Sequence, residues 1–80
     1  MITLYINPDC PFCQKTVAVA HEVEAPLILK DIHEPGVEEE LVALGGKKQM
    51  PFMVDDEAGI SMYESQDIMQ YLHDTFGSHP

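Results

Sequence analysis

The order of apolar runs and turn residues predicts an α/β fold with a mixed four-stranded sheet flanked by three helices. Three observations carry this prediction. A short apolar run opens the chain, a Cys-Pro-Phe-Cys motif follows at the start of a helical segment, and strand-like and helix-like segments alternate afterwards. The resulting order is strand, helix, strand, helix, strand, strand, helix. The 80 residues are expected to form one domain, 1–80.

The first three elements form a strand–helix–strand unit. Ile2 to Ile6 is an apolar run suited to a buried strand, and turn residues follow it at 7–9. Residues 11–24 contain no glycine and many apolar side chains, which predicts the first helix. Residues 27–32 have the composition of a second strand. The two strands are expected to be parallel, joined by a right-handed crossover.

The second helix is expected after the turn residues 34–36. Val37, Leu41 and Leu44 recur at helical spacing and are expected on its apolar face. The glycine pair at 45–46 predicts the end of this helix.

The remaining segments are expected to form a hairpin and a final helix. Residues 51–54 and 60–63 are short strands separated by turn residues, so they should pair antiparallel. Ser65 suits the N-cap of the last helix, and Gly77 is expected to end it.

Cys10 and Cys13 are the residues most informative about chemistry. A C-x-x-C motif that follows a strand and opens a helix is typical of a thiol–disulfide site. Pro11 suits the first helical position, which makes Cys10 the N-cap and Cys13 the third helical residue. Residues three apart on a helix lie roughly 5–6 Å apart, so an intramolecular disulfide is sterically reasonable. A purely structural disulfide is the alternative, but so short a loop removes little chain entropy.

Thiol–disulfide exchange requires a thiolate. At an N-cap, the backbone N–H groups of Phe12 and Cys13 and the helix dipole favour the anion at Cys10. We therefore expect Cys10 to be the nucleophile and Cys13, which should be less exposed inside the first turn, to be the resolving thiol. Asp9, directly before Cys10, opposes thiolate formation through its like charge.

Three elements together resemble the glutaredoxins of the thioredoxin-fold superfamily. They are Cys10-Pro11-Phe12-Cys13, Met50-Pro51 before a short strand, and Glu64-Ser65 opening the last helix. Glutaredoxins typically have a Cys-Thr-Asp run at the third element, whereas Tyr63-Glu64-Ser65 is similar to the glutathione-binding domain of glutathione transferases. The resemblance spans essentially the whole chain. It implies a thioredoxin-like fold with glutathione as co-substrate.

The resemblance also implies how glutathione binds. Met50-Pro51 is expected to be a cis peptide that exposes the backbone of Met50 to the cysteinyl part of glutathione; an ordinary trans proline is the alternative. Ser65 and the N-terminus of the last helix would bind the γ-glutamyl carboxylate, and Glu64 its ammonium group. A simple helix cap also accounts for Ser65.

The glycine carboxylate of glutathione needs a cationic or amide partner. Lys47, Lys48 or Gln49, just upstream of the Met50-Pro51 pair, could reach it; an equally good alternative is that both lysines are surface charges. Phe12 is expected at the exposed rim of the site, where its ring contacts substrate.

Composition excludes several classes of function. Fourteen acidic residues against four lysines give a net charge of −10, which disfavours nucleic acid as a partner. We expect no membrane span and no leader sequence, and hence a cytoplasmic protein that is a monomer. The histidines do not match the spacing of a zinc site with the cysteines, so no metal is expected. They are His21, His33, His73 and His79.

The predicted function is that of a dithiol oxidoreductase of glutaredoxin type. Glutathione reduces it, and it reduces protein disulfides and glutathione mixed disulfides through Cys10, with Cys13 resolving. Three alternatives stay open. They are a transferase-type domain in which Cys10 or bound glutathione attacks an electrophile, an iron–sulfur carrier in which Cys10 from two chains and two glutathiones hold one cluster, and a thioredoxin-like donor reduced by a flavoprotein.

Overall fold

A computed structural model of the chain, which describes residues 1–77, has a four-stranded sheet and three helices. The strands are β1 (Ile2–Ile6), β2 (Leu27–Asp31), β3 (Phe52–Asp55) and β4 (Ile60–Met62). The helices are α1 (Pro11–Glu22), α2 (Val37–Gly45) and α3 (Ser65–Phe76). This order confirms the predicted α/β class. No helix in the described part of the chain is long and apolar enough to cross a membrane.

The sheet is mixed, with strand order β2-β1-β3-β4. β1 pairs parallel with β2, and Leu4 lies opposite Leu29. On its other side β1 pairs antiparallel with β3, where Leu4 lies opposite Met53, and β3 pairs antiparallel with β4. The parallel first unit and the antiparallel hairpin both agree with the sequence prediction.

The side-chain alternation of β1 divides the core into two clusters, because successive residues of a strand face opposite sides of the sheet. On one side α1 and α3 cover the sheet, and on the other side α2 covers it. The first cluster contains Ile2, Leu4, Ile6, Cys13, Ala20, Met53, Ile68 and Leu72. The second contains Tyr5, Val37, Leu41 and Phe52.

Helix α1 ends two residues earlier than predicted because Glu24 has a left-handed backbone, with φ of 57°. The Glu24 amide donates to the carbonyl of His21 and the Ala25 amide donates to that of Ala20. These two bonds form a Schellman motif, in which glycine normally occupies the left-handed position. A glutamate therefore occupies a backbone conformation that suits glycine better.

Leu44 lies on the predicted face of α2, but 55% of its surface is exposed. Its angular position on α2 matches that of the buried Val37 and Leu41, but it lies in the last turn of the helix. There the ring of Tyr63, rather than Leu44, fills the space beside Gly45. Gly46 ends the helix in the left-handed region, with φ of 91°.

A buried carboxylate joins α3 to the β3–β4 hairpin. Asp55 is 5% exposed and accepts a hydrogen bond of 2.6 Å from the hydroxyl group of Tyr71 on α3. Its other carboxylate oxygen accepts the backbone N–H groups of Glu57 and Ala58 at 3.1 and 3.3 Å. The side chain thus holds the turn and the helix together.

The sheet ends at β2, which is an edge strand with apolar side chains open to solvent. Ile28 and Leu29 are 41% and 42% exposed. At the end of the strand, Lys30 forms an ion pair of 2.8 Å with Glu40 of α2.

Candidate functional site

Cys10 is the N-cap of α1, as predicted. Its backbone is extended, with φ of −86° and ψ of 123°, and Pro11 occupies the first turn of the helix. The Cys10 carbonyl accepts the amide of Gln14 at 3.0 Å, and its own amide donates to the carbonyl of Asn7 at 3.0 Å. The half-buried thiol therefore lies where the helix presents its free N–H groups.

The environment of Cys10 stabilises its thiolate. The nearby backbone N–H of Cys13 is the main reason that the Cys10 pKa lies below its ordinary value. Partial burial opposes this effect, while the backbone N–H of Phe12 and the thiol of Cys13 lower the Cys10 pKa further. This agrees with the reasoning from the N-cap position.

Cys13 is chemically different from Cys10 although it is only three residues away. It is fully buried, and burial raises its pKa to about 11. The neighbouring sulfur of Cys10 raises that pKa further, and the backbone N–H of Asn7 lowers it. Both cysteines are free thiols. At neutral pH Cys13 is therefore protonated.

A cavity of about 240 Å³ opens beside the N-terminus of α1. Its lining residues come from the start of α1, the loop before β3, and the start of α3. They are Phe12, Gln49, Met50, Pro51, Tyr63, Glu64 and Ser65. Six of these seven are residues that the sequence singled out for glutathione. Cys10 and Met50 pack on the same buried core cluster.

The loop between α2 and β3 brings Met50 and Pro51 to the cavity. The Met50–Pro51 peptide bond is cis, as the resemblance implies, and Pro51 is buried. Phe12, across the cavity, is 61% exposed, in agreement with its predicted place at the rim.

Helix α3 begins one residue earlier than expected. The N-cap is Glu64, with φ of −74° and ψ of 128°, and its carbonyl accepts the amide of Ile68 at 2.8 Å. Ser65 is therefore the first helical residue rather than the N-cap. The carboxylate of Glu64 does not cap the helix and instead accepts the side-chain amide of Gln49 at 3.4 Å.

The structure separates the two lysines that precede the cavity. Lys48 does not line it, and its ammonium group pairs with Glu38 of α2 at 3.1 Å. Lys47 places its ammonium group 4.8 Å from the ring centroid of Tyr63, which does line the cavity. Of the two, Lys47 is closer to the site.

Tyr63 is the lining residue to which sequence reasoning assigned no role. It lies between β4 and α3, and its hydroxyl group bonds to the backbone of Lys47. The available signal was its position directly before Glu64, which placed it at the entrance of the last helix. Its partner, 16 residues away, was not evident from the sequence.

A larger cavity, of about 720 Å³, lies between the C-terminal ends of α1 and α3. It is lined by Glu22, Val23, Glu24, His73, Asp74, Phe76 and Gly77. A helix of the length of α1 spans about 18 Å, so this cavity is remote from Cys10. It contains no thiol and offers no nucleophile of comparable reactivity.

Within residues 1–77 no three His, Cys, Asp or Glu side chains form a group that could hold a metal ion. His79 lies outside the described residues. The absence of a metal therefore stays a prediction.

Comparison with known proteins identifies the family. Residues 4–80 match the model of the glutathione S-transferase N-terminal domain. No curated protein matches the chain by sequence. Among solved structures, a delta-class glutathione transferase of Nilaparvata lugens is 29% identical with a TM-score of 0.78, over 99% of this chain and 38% of that one. Glutathione transferase BmGSTD1 of Bombyx mori is 28% identical with a TM-score of 0.79, over 96% and 36%.

A more distant structure shows the same fold. Glutathione transferase Omega 3C of Trametes versicolor is 24% identical with a TM-score of 0.81, over 99% of this chain and 33% of that one. The chain thus spans between 33% and 38% of the length of these proteins. The comparisons support the thioredoxin-fold superfamily and do not single out the glutaredoxins. The chain belongs to the family of glutathione S-transferase N-terminal domains and has their thioredoxin-like fold.

Proposed function

We propose that this chain binds glutathione in the cavity beside Phe12, Pro51 and Glu64. We further propose that Cys10 carries out thiol–disulfide exchange in which glutathione is the reductant. The observation that carries the proposal is the position of Cys10 at the N-cap of α1, where the helix presents its free N–H groups and where the pKa of the thiol lies below its ordinary value, chiefly because of the backbone N–H of Cys13. A stabilised thiolate is the nucleophile that disulfide exchange requires. Family membership supports glutathione as the ligand.

The polar groups of the cavity match the ends of the tripeptide. Free N–H groups at the start of α3 suit the γ-glutamyl carboxylate, together with Ser65, and the Glu64 carboxylate suits its ammonium group. The backbone of Met50, which lines the cavity, would pair with the cysteinyl residue. The cavity is smaller than the ~300–1,000 Å³ of typical ligand pockets, so glutathione would remain partly in solvent.

The proposed reaction begins with attack of the Cys10 thiolate on the glutathionyl sulfur of a mixed disulfide. A bond forms between Cys10 and that sulfur, the substrate disulfide bond breaks, and the departing thiolate takes a proton from solvent. A free glutathione thiolate then attacks the glutathionyl sulfur on Cys10. Oxidised glutathione leaves, the Cys10 thiolate is restored, and one glutathione has been consumed for each substrate thiol released.

Protein disulfides would follow a second route that uses Cys13. After Cys10 has joined a protein thiol, the hydrogen bond and charge with which Cys10 raises the Cys13 pKa are gone, and burial alone opposes ionisation. Cys13 then attacks the Cys10 sulfur, the reduced protein leaves, and two glutathiones reduce the Cys10–Cys13 disulfide. The cytoplasm, where thiols are kept reduced, is the proposed location, and a monomer is the proposed state.

Glutathione conjugation is the second candidate function, favoured by the family match over residues 4–80. In that reaction bound glutathione or Cys10 attacks an electrophilic carbon. The relatives are almost three times as long as this chain, so the residues that hold the electrophile in them need not be in this domain.

A coupled assay tests the proposal. Turnover of a small glutathione mixed disulfide is followed with glutathione, glutathione reductase and NADPH for the wild-type chain, Cys10→Ser and Cys13→Ser. We expect Cys10→Ser to be inactive and Cys13→Ser to retain turnover of this substrate but to lose reduction of protein disulfides. Conjugation of 1-chloro-2,4-dinitrobenzene is measured on the same preparations.

The outcomes separate the candidates. Conjugation without disulfide turnover would replace the proposal by the transferase reaction. Disulfide reduction driven by a flavoprotein thioredoxin reductase, but not by glutathione, would make the chain a thioredoxin-like donor and remove Glu64 and Ser65 from the ligand site.

A further inference from the structure

We infer that Tyr63 is a positioning residue for glutathione, because its hydroxyl group fixes the loop between α2 and β3 against the site cavity. Glutathione affinity then depends on the Tyr63 hydroxyl group, whereas sulfur chemistry at Cys10 does not. This inference rests on the proposed function and concerns how the same cavity keeps its shape.

One hydroxyl group satisfies both backbone groups of Lys47. It donates to the Lys47 carbonyl at 2.7 Å and accepts the Lys47 N–H at 3.2 Å. The same carbonyl also accepts the amide of Gln49 at 3.2 Å, which closes a tight turn over residues 47–49. Lys47 lies outside every helix and strand, so Tyr63 supplies the pairing that a regular element would otherwise provide.

The ring of Tyr63 is itself held firmly. Its centroid lies 4.5 Å from that of Phe52, which is 1% exposed, and Phe52 in turn lies 5.7 Å from Tyr5. The Lys47 ammonium group lies 4.8 Å from the Tyr63 ring centroid. A Cβ atom at Gly45 would overlap the hydroxyl group of Tyr63. Tyr63 thus anchors the end of α2 and the following turn to the buried aromatic side chains.

The turn leads directly into the cavity wall. Gln49 lines the cavity and donates its side-chain amide to the carboxylate of Glu64 at 3.4 Å. Glu64 directly follows Tyr63 in the chain. A closed circuit of contacts therefore runs from Tyr63 to Lys47, on to Gln49, and through Glu64 back to Tyr63. Two of the polar groups proposed to bind glutathione are therefore fixed by one phenol.

Loss of the hydroxyl group breaks this circuit of contacts but leaves the packing of the core unchanged. In Tyr63→Phe the stacking on Phe52 and the contact with the Lys47 ammonium group remain, while both bonds to the Lys47 backbone are removed. Gln49 is then less ordered in the free protein, and ordering it on binding costs free energy. Tyr63→Phe should therefore bind glutathione more weakly, whereas the N–H groups near the Cys10 sulfur at the start of α1 are unchanged.

Isothermal calorimetry with reduced glutathione tests the inference on the wild-type chain, Tyr63→Phe and Tyr71→Phe. The last variant is the matched control, since it also removes a phenolic hydrogen bond, at Asp55, but neither Tyr71 nor Asp55 lines the cavity. All three are first shown to be folded by circular dichroism at the assay temperature. We expect Tyr63→Phe to weaken glutathione binding about three- to tenfold, the effect of one or two neutral hydrogen bonds.

Two further readouts separate positioning from a general loss of structure. In Tyr63→Phe the turnover number at saturating glutathione and the alkylation rate of Cys10 by iodoacetamide are expected to stay at wild-type values, with the change confined to KM. The variant Gln49→Ala is also combined with Tyr63→Phe, and the two losses of affinity are expected to be less than additive because both act through one turn.

Each result has a defined meaning. A wild-type chain that binds no glutathione would overturn the proposed function, and the inference with it. Wild-type binding that is unchanged in Tyr63→Phe would overturn the inference alone. Equal weakening in Tyr71→Phe, or a matching fall in turnover number and Cys10 alkylation, would show a general loss of structure instead of positioning and would also overturn it.

Discussion

Replacing Tyr71 by phenylalanine removes one hydroxyl group from the junction between α3 and the β3–β4 hairpin. That group donates to the buried carboxylate of Asp55 at 2.6 Å. A hydrogen bond to a charged group contributes about 1.5–3 kcal/mol, so Tyr71→Phe is expected to lower the free energy of unfolding by this amount at neutral pH. The backbone amides that bond to the other oxygen of Asp55 limit the loss.

The pH dependence of this loss identifies its cause. The Tyr71 hydrogen bond is the main reason that the pKa of Asp55 lies below its ordinary value. A carboxyl whose pKa falls on folding stabilises the native state above its unfolded pKa of about 3.9, and this stability is lost as the pH falls through the folded pKa. The difference between wild type and Tyr71→Phe should therefore be full at pH 7 and should shrink below about pH 4.

Urea denaturation followed by circular dichroism measures both effects, at pH 7 and at several values down to pH 2. Tyr63→Phe is the matched control, since its hydroxyl group bonds to backbone groups that do not titrate. Its effect on stability should not vary over this range. A loss in Tyr71→Phe below about 0.5 kcal/mol at pH 7, or one that is the same at pH 2, would refute the reasoning.

Three other predictions follow from the structure. Glu24→Gly is expected to raise the free energy of unfolding by about 1 kcal/mol, because glutamate has a left-handed backbone there; an unchanged urea midpoint would contradict this. Gly45→Ala should destabilise the chain by about 1–3 kcal/mol, since the new Cβ overlaps the Tyr63 hydroxyl group, and calorimetry would show the lower Tm; an unaltered Tm would argue against that close contact. At pH 7 iodoacetamide should modify Cys10 alone, because the backbone N–H of Cys13 above all lowers the pKa of Cys10, whereas burial raises the pKa of Cys13 to about 11. Mass spectrometry should find one adduct on the native chain and two after denaturation. Two adducts on the native chain would be inconsistent with this.

The elements of the fold were predictable because their signals are local. The apolar run at Ile2–Ile6, the proline after Cys10 and the left-handed glycine at 46 mark boundaries by residue type alone. The start of α3 was displaced by one residue, because N-cap preference favours serine whereas the backbone of Glu64 has the N-cap conformation. Leu44 recurs at the same helical spacing as the buried Val37 and Leu41, but spacing alone does not show that 55% of its surface is exposed.

The sequence predicted those site residues that lie beside the end of a helix or strand, because such ends can be recognised from residue type. Cys10, Met50 and Glu64 all lie where an element begins or a loop meets the sheet, so motif and order place them. Sequence could not separate Lys47 from Lys48, because their different partners, the Tyr63 ring and Glu38, depend on tertiary contacts. The role of Tyr63 depends on such a contact as well.

The open edge of β2 has a consequence for the behaviour of the chain in solution. The outer side of β2, an edge strand on which Ile28 and Leu29 are exposed, is a template for addition of a strand from another molecule. A net charge of −10 opposes such association by mutual repulsion at neutral pH. Acidification removes that repulsion while the strand stays exposed, so the chain should lose solubility in mild acid.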